Sequence, residues 1–97
     1  MACEVIFEMR VKPECMSQLI SWMSSTLEAS RNYEGCLNLS VAQNQDDANE
    51  IIIIQRWETR EHYEKFLTWR KETGVFGTLV AMADKEPRLR FFDYFDV

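Results

Sequence analysis

Residues Glu50–Trp57 read EIIIIQRW, and this stretch decides the architecture. Its four consecutive isoleucines, Ile51 to Ile54, would place apolar side chains on both faces of a β-strand, because successive strand residues point to opposite sides of the sheet. Such a strand has no face that is suited to water. The stretch therefore predicts a strand in a sheet that is covered on both sides.

The residues just before this strand predict its first partner. Residues 36–43 alternate between apolar and polar side chains, with Leu37, Leu39 and Val41 at every second position. Residues 44–49 are polar and rich in Asn and Asp, which is typical of a turn. The two strands and the turn between them predict a β-hairpin.

The N-terminal third predicts a strand followed by a helix. Residues 3–11 alternate, which indicates another strand with one apolar face. Pro13 then opens a segment in which apolar residues recur every three or four positions, as on one face of a helix. We expect this helix to run to about Asn32 and to end before Gly35. The apolar positions are Val5, Phe7, Met9 and Val11 in the strand, and Met16, Leu19, Ile20, Met23 and Leu27 in the helix.

The C-terminal half predicts two more helices and a last strand. Thr59 is a suitable N-cap for a second helix that ends near Gly74, and a short apolar helix over residues 75–83 follows. After Pro87, residues 88–97 form an aromatic strand. The order βαββα(α)β predicts one α+β domain over residues 1–97, a ferredoxin-like sandwich with an antiparallel sheet.

The topology leaves one side of this sheet without a cover from its own chain, because right-handed crossovers put both main helices on the same side. Besides the isoleucine run, Phe91, Phe92, Tyr94 and Phe95 occupy both parities of the last strand, so we expect that this strand also has no face suited to water. A second copy of the chain is the simplest cover, so we expect a homodimer through the open sheet face. The alternative is a monomer that tolerates some exposed aromatic side chains.

Composition limits the partners and the location. The chain has 97 residues, 11 of them basic and 16 acidic, with a net charge of −5 and no basic face. Binding to nucleic acid or to an anionic membrane surface is therefore not expected. No apolar run is long enough to span a bilayer, and the first residues do not resemble a signal peptide. Three unpatterned cysteines fit reduced thiols in the cytoplasm, and with one histidine they predict no metal site.

Several short motifs, in this order and at these spacings, resemble the antibiotic biosynthesis monooxygenase family of dimeric α+β barrels. The resemblance covers about residues 4–97 and agrees with the topology and the dimer predicted above. A variant of the family's second-helix region is also present. The motifs are Val11-Lys12-Pro13, Arg31, Glu34-Gly35-Cys36, Trp57-Glu58-Thr59 and Pro87, with Phe66-Leu67-Thr68-Trp69-Arg70 and Thr73-Gly74 in the second-helix region.

The resemblance implies several possible reactions, and individual residues of this sequence argue against some of them. Some members oxidise phenols or quinols with O₂ and no cofactor, some degrade haem, and others are not oxidative. Met9, Phe66 and Phe76 stand where haem degraders carry Asn, Trp and His, so haem is not expected as a substrate. Many quinol-oxidising relatives have a His at the position of Phe66. Trp57 and Tyr63 match by position the Trp and Tyr that surround the substrate in cofactor-free oxygenases.

A substrate pocket in this architecture would lie between the helices and the sheet. We expect Tyr63 and Trp57 to be the catalytic residues, with Arg70 holding a phenolate, a carboxylate or a developing oxyanion. The predicted substrate-binding residues are Phe7, Met9, Phe66, Trp69, Arg70 and Phe76. Catalysis there would use neither metal nor cofactor, and would rely on enclosing an electron-rich substrate.

Each of these residues also has a purely structural interpretation. Met and aromatic side chains at these spacings are common in ordinary cores. His62 is consistent with a solvated residue in the first turn of a helix, and Arg70 with a surface residue paired to a nearby Glu (Glu61, Glu64 or Glu72). Cys36 fits a small buried apolar side chain.

Two functions therefore remain. The first is a cofactor-independent monooxygenase acting on a small aromatic substrate such as a phenol or quinol. The second is a small-molecule-binding dimer without redox chemistry, or an isomerase that works by proton transfer. The fold is compatible with both, since function is carried by the site.

Overall fold

The computed structural model describes residues 2–97 and has the predicted element order. Its strands and helices are β1 (Cys3–Arg10), α1 (Met16–Arg31), β2 (Cys36–Gln43), β3 (Glu50–Trp57), α2 (Arg60–Glu72), α3 (Val75–Ala81) and β4 (Arg88–Asp93), with a 3₁₀ turn at Pro13–Cys15 before α1. The four strands form one antiparallel sheet in the order β2-β3-β1-β4. This is the predicted α+β ferredoxin-like fold.

The inner face of the sheet packs against the helices in two clusters. Toward one end, Phe7 and Ile53 from the sheet meet Leu19 and Leu27 of α1 and Leu79 of α3. Toward the other end, Trp57, at the end of β3, meets side chains of α2. The cavity described below lies where these two clusters adjoin.

The isoleucine run divides between the two faces, as its alternation requires. Ile51 and Ile53 are buried under the helices, whereas Ile52 and Ile54 lie on the outer face and are half-buried. The inward set continues with Gln55 and Trp57, so one polar residue sits on the buried parity of this strand.

The outer face is mixed rather than apolar throughout. The outward residues of β4 are Arg88, Arg90 and Phe92, and Arg90 forms an ion pair with Glu8 of β1. The expectation that β4 has no side suited to water was therefore wrong for its first half. Apolar exposure is concentrated toward the other end of β4, where Phe92 is 43% exposed.

Several predicted boundaries differ from the structure. The strand predicted over residues 88–97 ends at Asp93, because Asp93 is already opposite Cys3, the first residue of β1, and no further partner follows. Val11 lies beyond β1 and makes only an isolated bridge with Ala83. That bridge also ends α3 earlier than the predicted residue 83, at Ala81.

Leu37 is exposed although it alternates correctly with Leu39 and Val41. The register of β2 against β3 shifts between Cys36 and Asn38, which is a β-bulge. A bulge inserts one extra residue and reverses the alternation on either side of it. Cys36 and Leu39 therefore face inward, and Leu37 does not.

Among residues 2–97, none of the helices combines the length and the hydropathy needed to cross a bilayer.

Candidate functional site

A small cavity lies between the inner face of the sheet and the helices. Four polar side chains line it, those of Ser30, Gln55, Tyr63 and Arg70, and the rest of the wall is apolar. The apolar wall consists of Phe7, Trp22, Leu27, Leu39, Ile53, Phe66, Leu67, Val75, Phe76 and Leu79. The volume of the cavity is about 40 Å³. This holds a few water molecules and is smaller than the roughly 150 Å³ of a cavity that takes up benzene.

Two hydrogen bonds between helices flank this cavity. Nη2 of Arg70 on α2 donates to the carbonyl oxygen of Thr26 on α1 at 2.7 Å. Nε1 of Trp22 on α1 donates to the carbonyl oxygen of Val75 at the start of α3 at 3.2 Å. The helices that cover the cavity are thus connected by hydrogen bonds, α2 to α1 and α1 to α3, each from a side-chain donor to a backbone carbonyl oxygen.

Arg70 is a buried cation without a carboxylate partner. It is 7% exposed, and besides Thr26 it contacts Ser30, whose Oγ accepts from Nη2 at 2.9 Å. Within residues 2–97 no Asp or Glu forms a salt bridge with it. Burial lowers the pKa of its guanidinium, which stays protonated because its ordinary value is so high. The surface pairing with a neighbouring Glu was therefore the wrong interpretation of Arg70.

Gln55 projects its amide into the same site from β3. Its side chain is 5% exposed, and its Oε1 accepts a hydrogen bond from Nε1 of Trp57 at 3.0 Å. An indole nitrogen is only a donor, so this contact fixes which end of the amide is the oxygen. The amide nitrogen of Gln55 remains available to the cavity, which Gln55 lines.

Tyr63 brings a hydroxyl to a largely apolar wall. The residue is 2% exposed, and its ring packs edge-on against Trp57 and Phe91, each with ring centroids 5.6 Å apart. Burial raises the pKa of Tyr63, since an ionised phenol would lose its hydration there. The hydroxyl therefore stays protonated at neutral pH and can donate a hydrogen bond.

The structure brings five of the eight predicted site residues to the cavity: Phe7, Tyr63, Phe66, Arg70 and Phe76. Three others do not line it. Met9 is buried in the core beneath α1, and Trp57 is fully buried behind Tyr63 and Gln55. Trp69 packs against Tyr33 and Phe66, and the centroid of its ring lies 4.2 Å from the guanidinium carbon of Arg70, but it does not itself line the cavity.

Ser30, Gln55 and Trp22 line the cavity but were not predicted. Gln55 had a readable signal, because it is the one polar residue in the inward series Ile51, Ile53, Gln55, Trp57. Ser30 and Trp22 gave no such signal, since their contact with the cavity depends on how α1 sits against α2 and α3.

His62 and Cys36 lie outside the cavity wall. The backbone N–H of His62 donates to Oγ1 of Thr59, which is the predicted N-cap contact, and Nδ1 of His62 lies 2.7 Å from the same oxygen. Cys36 is half-buried, and burial raises the pKa of its thiol, which makes it a poor nucleophile. Residues 2–97 contain no group of three His, Cys, Asp or Glu side chains placed to hold a metal ion.

Comparison with known proteins agrees with this fold. A conserved protein of Methanosarcina mazei superposes with a TM-score of 0.87 at 21% identity, covering 94% of this chain and 90% of the other. A Mycobacterium tuberculosis protein also gives 0.87, at 13% identity and with 100% and 98% coverage. A crystal structure of an antibiotic biosynthesis monooxygenase gives 0.87 at 18% identity, with 96% and 98% coverage.

At these identities the structural likeness establishes the fold alone. None of the curated protein sequences matches this chain at a significant level. The family model of antibiotic biosynthesis monooxygenases, however, matches residues 3–71, which is most of the chain and includes the whole of β1, β2 and β3. The chain therefore belongs to the antibiotic biosynthesis monooxygenase family.

Proposed function

We propose that this protein oxidises a small phenol or quinol with O₂ and without a cofactor, in the cavity under α1, α2 and α3. The observation that carries the proposal is the pairing of an unneutralised, buried Arg70 with a buried Tyr63 hydroxyl on one apolar cavity. A cation and a proton donor that face an apolar space stabilise an aromatic anion that has been taken out of water.

The reaction needs no electron source beyond the substrate. Arg70 stabilises the phenolate, and this anion gives electrons to O₂. One oxygen atom then replaces a ring hydrogen as a carbonyl oxygen, and the other leaves as water with the ring hydrogen and the hydroxyl proton. A phenol and O₂ thus become a quinone and water. Tyr63 orients the substrate oxygen and moves its proton.

Trp57 contributes from behind the wall. Its ring packs on Tyr63, and its indole N–H holds the Gln55 amide at 3.0 Å. We assign it the role of a positioning residue for these two groups. This replaces direct substrate contact, which its complete burial does not favour.

The second candidate function, a binding protein or isomerase without redox chemistry, is favoured by the size of the cavity. About 40 Å³ accommodates a small anion but no aromatic ring unless wall side chains such as Phe76 or Trp22 move. An oxygenase must therefore open this wall when the substrate enters, whereas a site for a smaller ligand need not.

The proposed assembly is a homodimer through the outer face of the sheet. Support comes from Phe92 and Tyr94, which are both about two-fifths exposed beside half-buried Ile6 and Ile54. A patch of this kind is typical of an interface. A cytoplasmic location is supported by the free thiols of Cys3, Cys15 and Cys36.

The test is oxygen uptake by purified protein with a panel of phenols, quinols and naphthols, with and without added flavin and metal ions. For the best substrate, Tyr63→Phe should lower the rate by about 10²- to 10⁴-fold, the usual effect of losing an acid–base group. Trp57→Phe should also lower it, while His62→Ala should not, since His62 lies outside the cavity wall. Loss of activity in His62→Ala with a silent Tyr63→Phe would overturn the assignment.

A further inference from the structure

The polar groups of the cavity are unequally satisfied. Two of its oxygens already accept hydrogen bonds: Oγ of Ser30 from Arg70, and Oε1 of Gln55 from Trp57. The Ser30 hydroxyl is itself within 3.3 Å of the carbonyl oxygen of Thr26, to which it donates. The protein thus uses these side-chain oxygens for its own internal contacts.

The donors, in contrast, are left over. Arg70 uses only Nη2 for Thr26 and Ser30, so its Nε and Nη1 hydrogens have no acceptor in residues 2–97. The same holds for Nε2 of Gln55 and for the hydroxyl of Tyr63. None of these donor atoms is fully enclosed by protein. Among residues 2–97, the one fully enclosed side-chain nitrogen or oxygen without a hydrogen-bond partner is Nε of Arg90.

We propose that this cavity binds an oxyanion, and that Arg70 and Gln55 select a carboxylate or phenolate over neutral and cationic molecules of the same shape. The inference rests on the proposed function only in placing the ligand in the same cavity. It adds a substrate class and a specificity-determining residue, Gln55.

The selection follows from charge and donor supply. A cation more than nine-tenths buried with no counter-charge costs free energy that an incoming anion recovers. An amide N–H₂ group and a phenol O–H add neutral donors, and hydrogen bonds to a charged acceptor are stronger than those to a neutral one. A neutral amide ligand would present its own N–H₂ group to a wall whose oxygens already accept hydrogen bonds. An amidinium ligand would, in addition, be repelled by the positive charge of Arg70.

Gln55 is decisive because of its neighbour. Without the indole of Trp57, the amide could turn either its oxygen or its nitrogen to the ligand. The 3.0 Å bond to Nε1 of Trp57 removes that choice, so that the nitrogen is the end left for the ligand.

The test measures binding, not turnover. Acetate and acetamide are small probes that do not require the cavity wall to move, whereas benzoate, benzamide, benzamidine and 4-nitrophenolate require it to open. Calorimetry and NMR shifts on the full chain should show acetate binding at least about 10-fold more tightly than acetamide. The same preference should hold for benzoate and 4-nitrophenolate over benzamide, with no binding of benzamidine. Arg70→Met should abolish the preference for the anion. Arg60→Met is the matched control, because it removes the same charge at an exposed site on the first turn of α2.

Gln55→Glu gives a second, independent measurement. The shape of the side chain is unchanged and the carboxylate still accepts from Trp57, but the cavity wall now carries an anion of its own in addition to Arg70. Benzoate binding should fall by at least about 10-fold, while the protein stays folded. Gln55→Leu should weaken benzoate binding more than benzamide binding.

The outcomes separate the two proposals. Anion-selective binding without oxygen uptake by any phenol would refute the oxidation and support the oxyanion site. Binding of acetate without binding of any aromatic probe would show that the wall stays closed, which would refute the oxidation and support the oxyanion site. Equal affinity for acetate and acetamide, equal losses in Arg60→Met and Arg70→Met, or no binding of any probe would each overturn the oxyanion site.

Discussion

The ring of His62 fills the space that a side chain at Gly35 would need. A Cβ added to Gly35 would lie 2.5 Å from Cγ of His62, and Gly35 has a φ of +91°, which L-residues rarely adopt. Position 35, in the turn before β2, therefore disfavours every residue other than glycine for two separate reasons, one steric and one conformational. Gly35 also fixes the end of β3, since its carbonyl oxygen accepts from the N–H of Glu58 at 2.8 Å.

The three glycines of the chain allow these two reasons to be separated. Gly74 has a φ of +82° but open space around it, and Gly77 in α3 has neither constraint. Gly77→Ala should stabilise slightly, by up to about 1 kcal/mol, because Ala favours a helix. Gly74→Ala should cost about 1–3 kcal/mol for its conformation. Gly35→Ala should cost about 1–3 kcal/mol more than that, because of the contact with His62.

Urea unfolding of the three variants would give this order directly. Adding His62→Ala to Gly35→Ala should recover the steric part of the loss and leave the conformational part. If Gly35→Ala is no worse than Gly74→Ala, the packing of His62 against the turn is not as tight as described.

A second prediction concerns the buried pair in β3. Trp57→Phe leaves Oε1 of Gln55 without its donor, and an unpaired buried polar group costs about 1–3 kcal/mol in addition to the lost packing. In the background of Gln55→Leu, that penalty is absent. The double variant should thus be more stable than the sum of the single losses by about 1 kcal/mol, as measured in a double-mutant cycle. Simple additivity would show that the contact contributes nothing.

The alkaline limit of stability should depend on Tyr63. Burial raises the pKa of Tyr63 above its ordinary 10.0, so the unfolded chain loses this proton at a lower pH than the folded protein does. The contribution of Tyr63 to the free energy of unfolding is complete below pH 10.0 and declines as the pH rises beyond that value. Tyr63→Phe should therefore lose less free energy of unfolding than the wild type between pH 8 and pH 11.

Tyr94 serves as the comparison for this experiment. Its pKa is raised to about 12, by desolvation and then by its hydrogen bond with Glu4, but 40% of the residue is exposed in the single chain. Solvent weakens interactions at such a site, so at a dilution where the proposed dimer has dissociated, Tyr94→Phe should alter the pH dependence less than Tyr63→Phe does. A larger effect of Tyr94→Phe than of Tyr63→Phe would show that the hydroxyl of Tyr63 is not buried as described.

The assembly can be tested with one charge on each side of the molecule. Phe92→Glu puts a carboxylate into the outer face of the sheet, where we propose that a second copy packs, and it should yield monomers or aggregates in light scattering. Ile20→Glu makes the same kind of change on α1, at a residue that is 53% exposed, and should leave the dimer intact. A wild type that is monomeric at micromolar concentration would refute the dimer.

The alternation of apolar and polar residues in the strands, together with the Pro and Gly residues between elements, was sufficient to predict the element order. The strands β2 and β3 begin and end at the predicted residues. Local patterns could not predict the exposure of Leu37, because a bulge depends on the pairing of two strands. The same applies to the site. Tyr63 can be predicted from its match to the family, and Arg70 as a polar residue close to the aromatic candidates, but the contact of Arg70 with Thr26 joins positions 44 residues apart and appears only once α1 and α2 pack.

The lone guanidinium inside an acidic molecule affects how quickly a ligand arrives. The chain carries a net charge of −5, so at long range an anion is repelled, and it is attracted only when it reaches Arg70. Added salt screens the long-range field of exposed charges far more than a buried contact. Association of an anionic ligand should therefore speed up as ionic strength rises, the opposite of the usual steering between opposite charges, with little change in the rate of release.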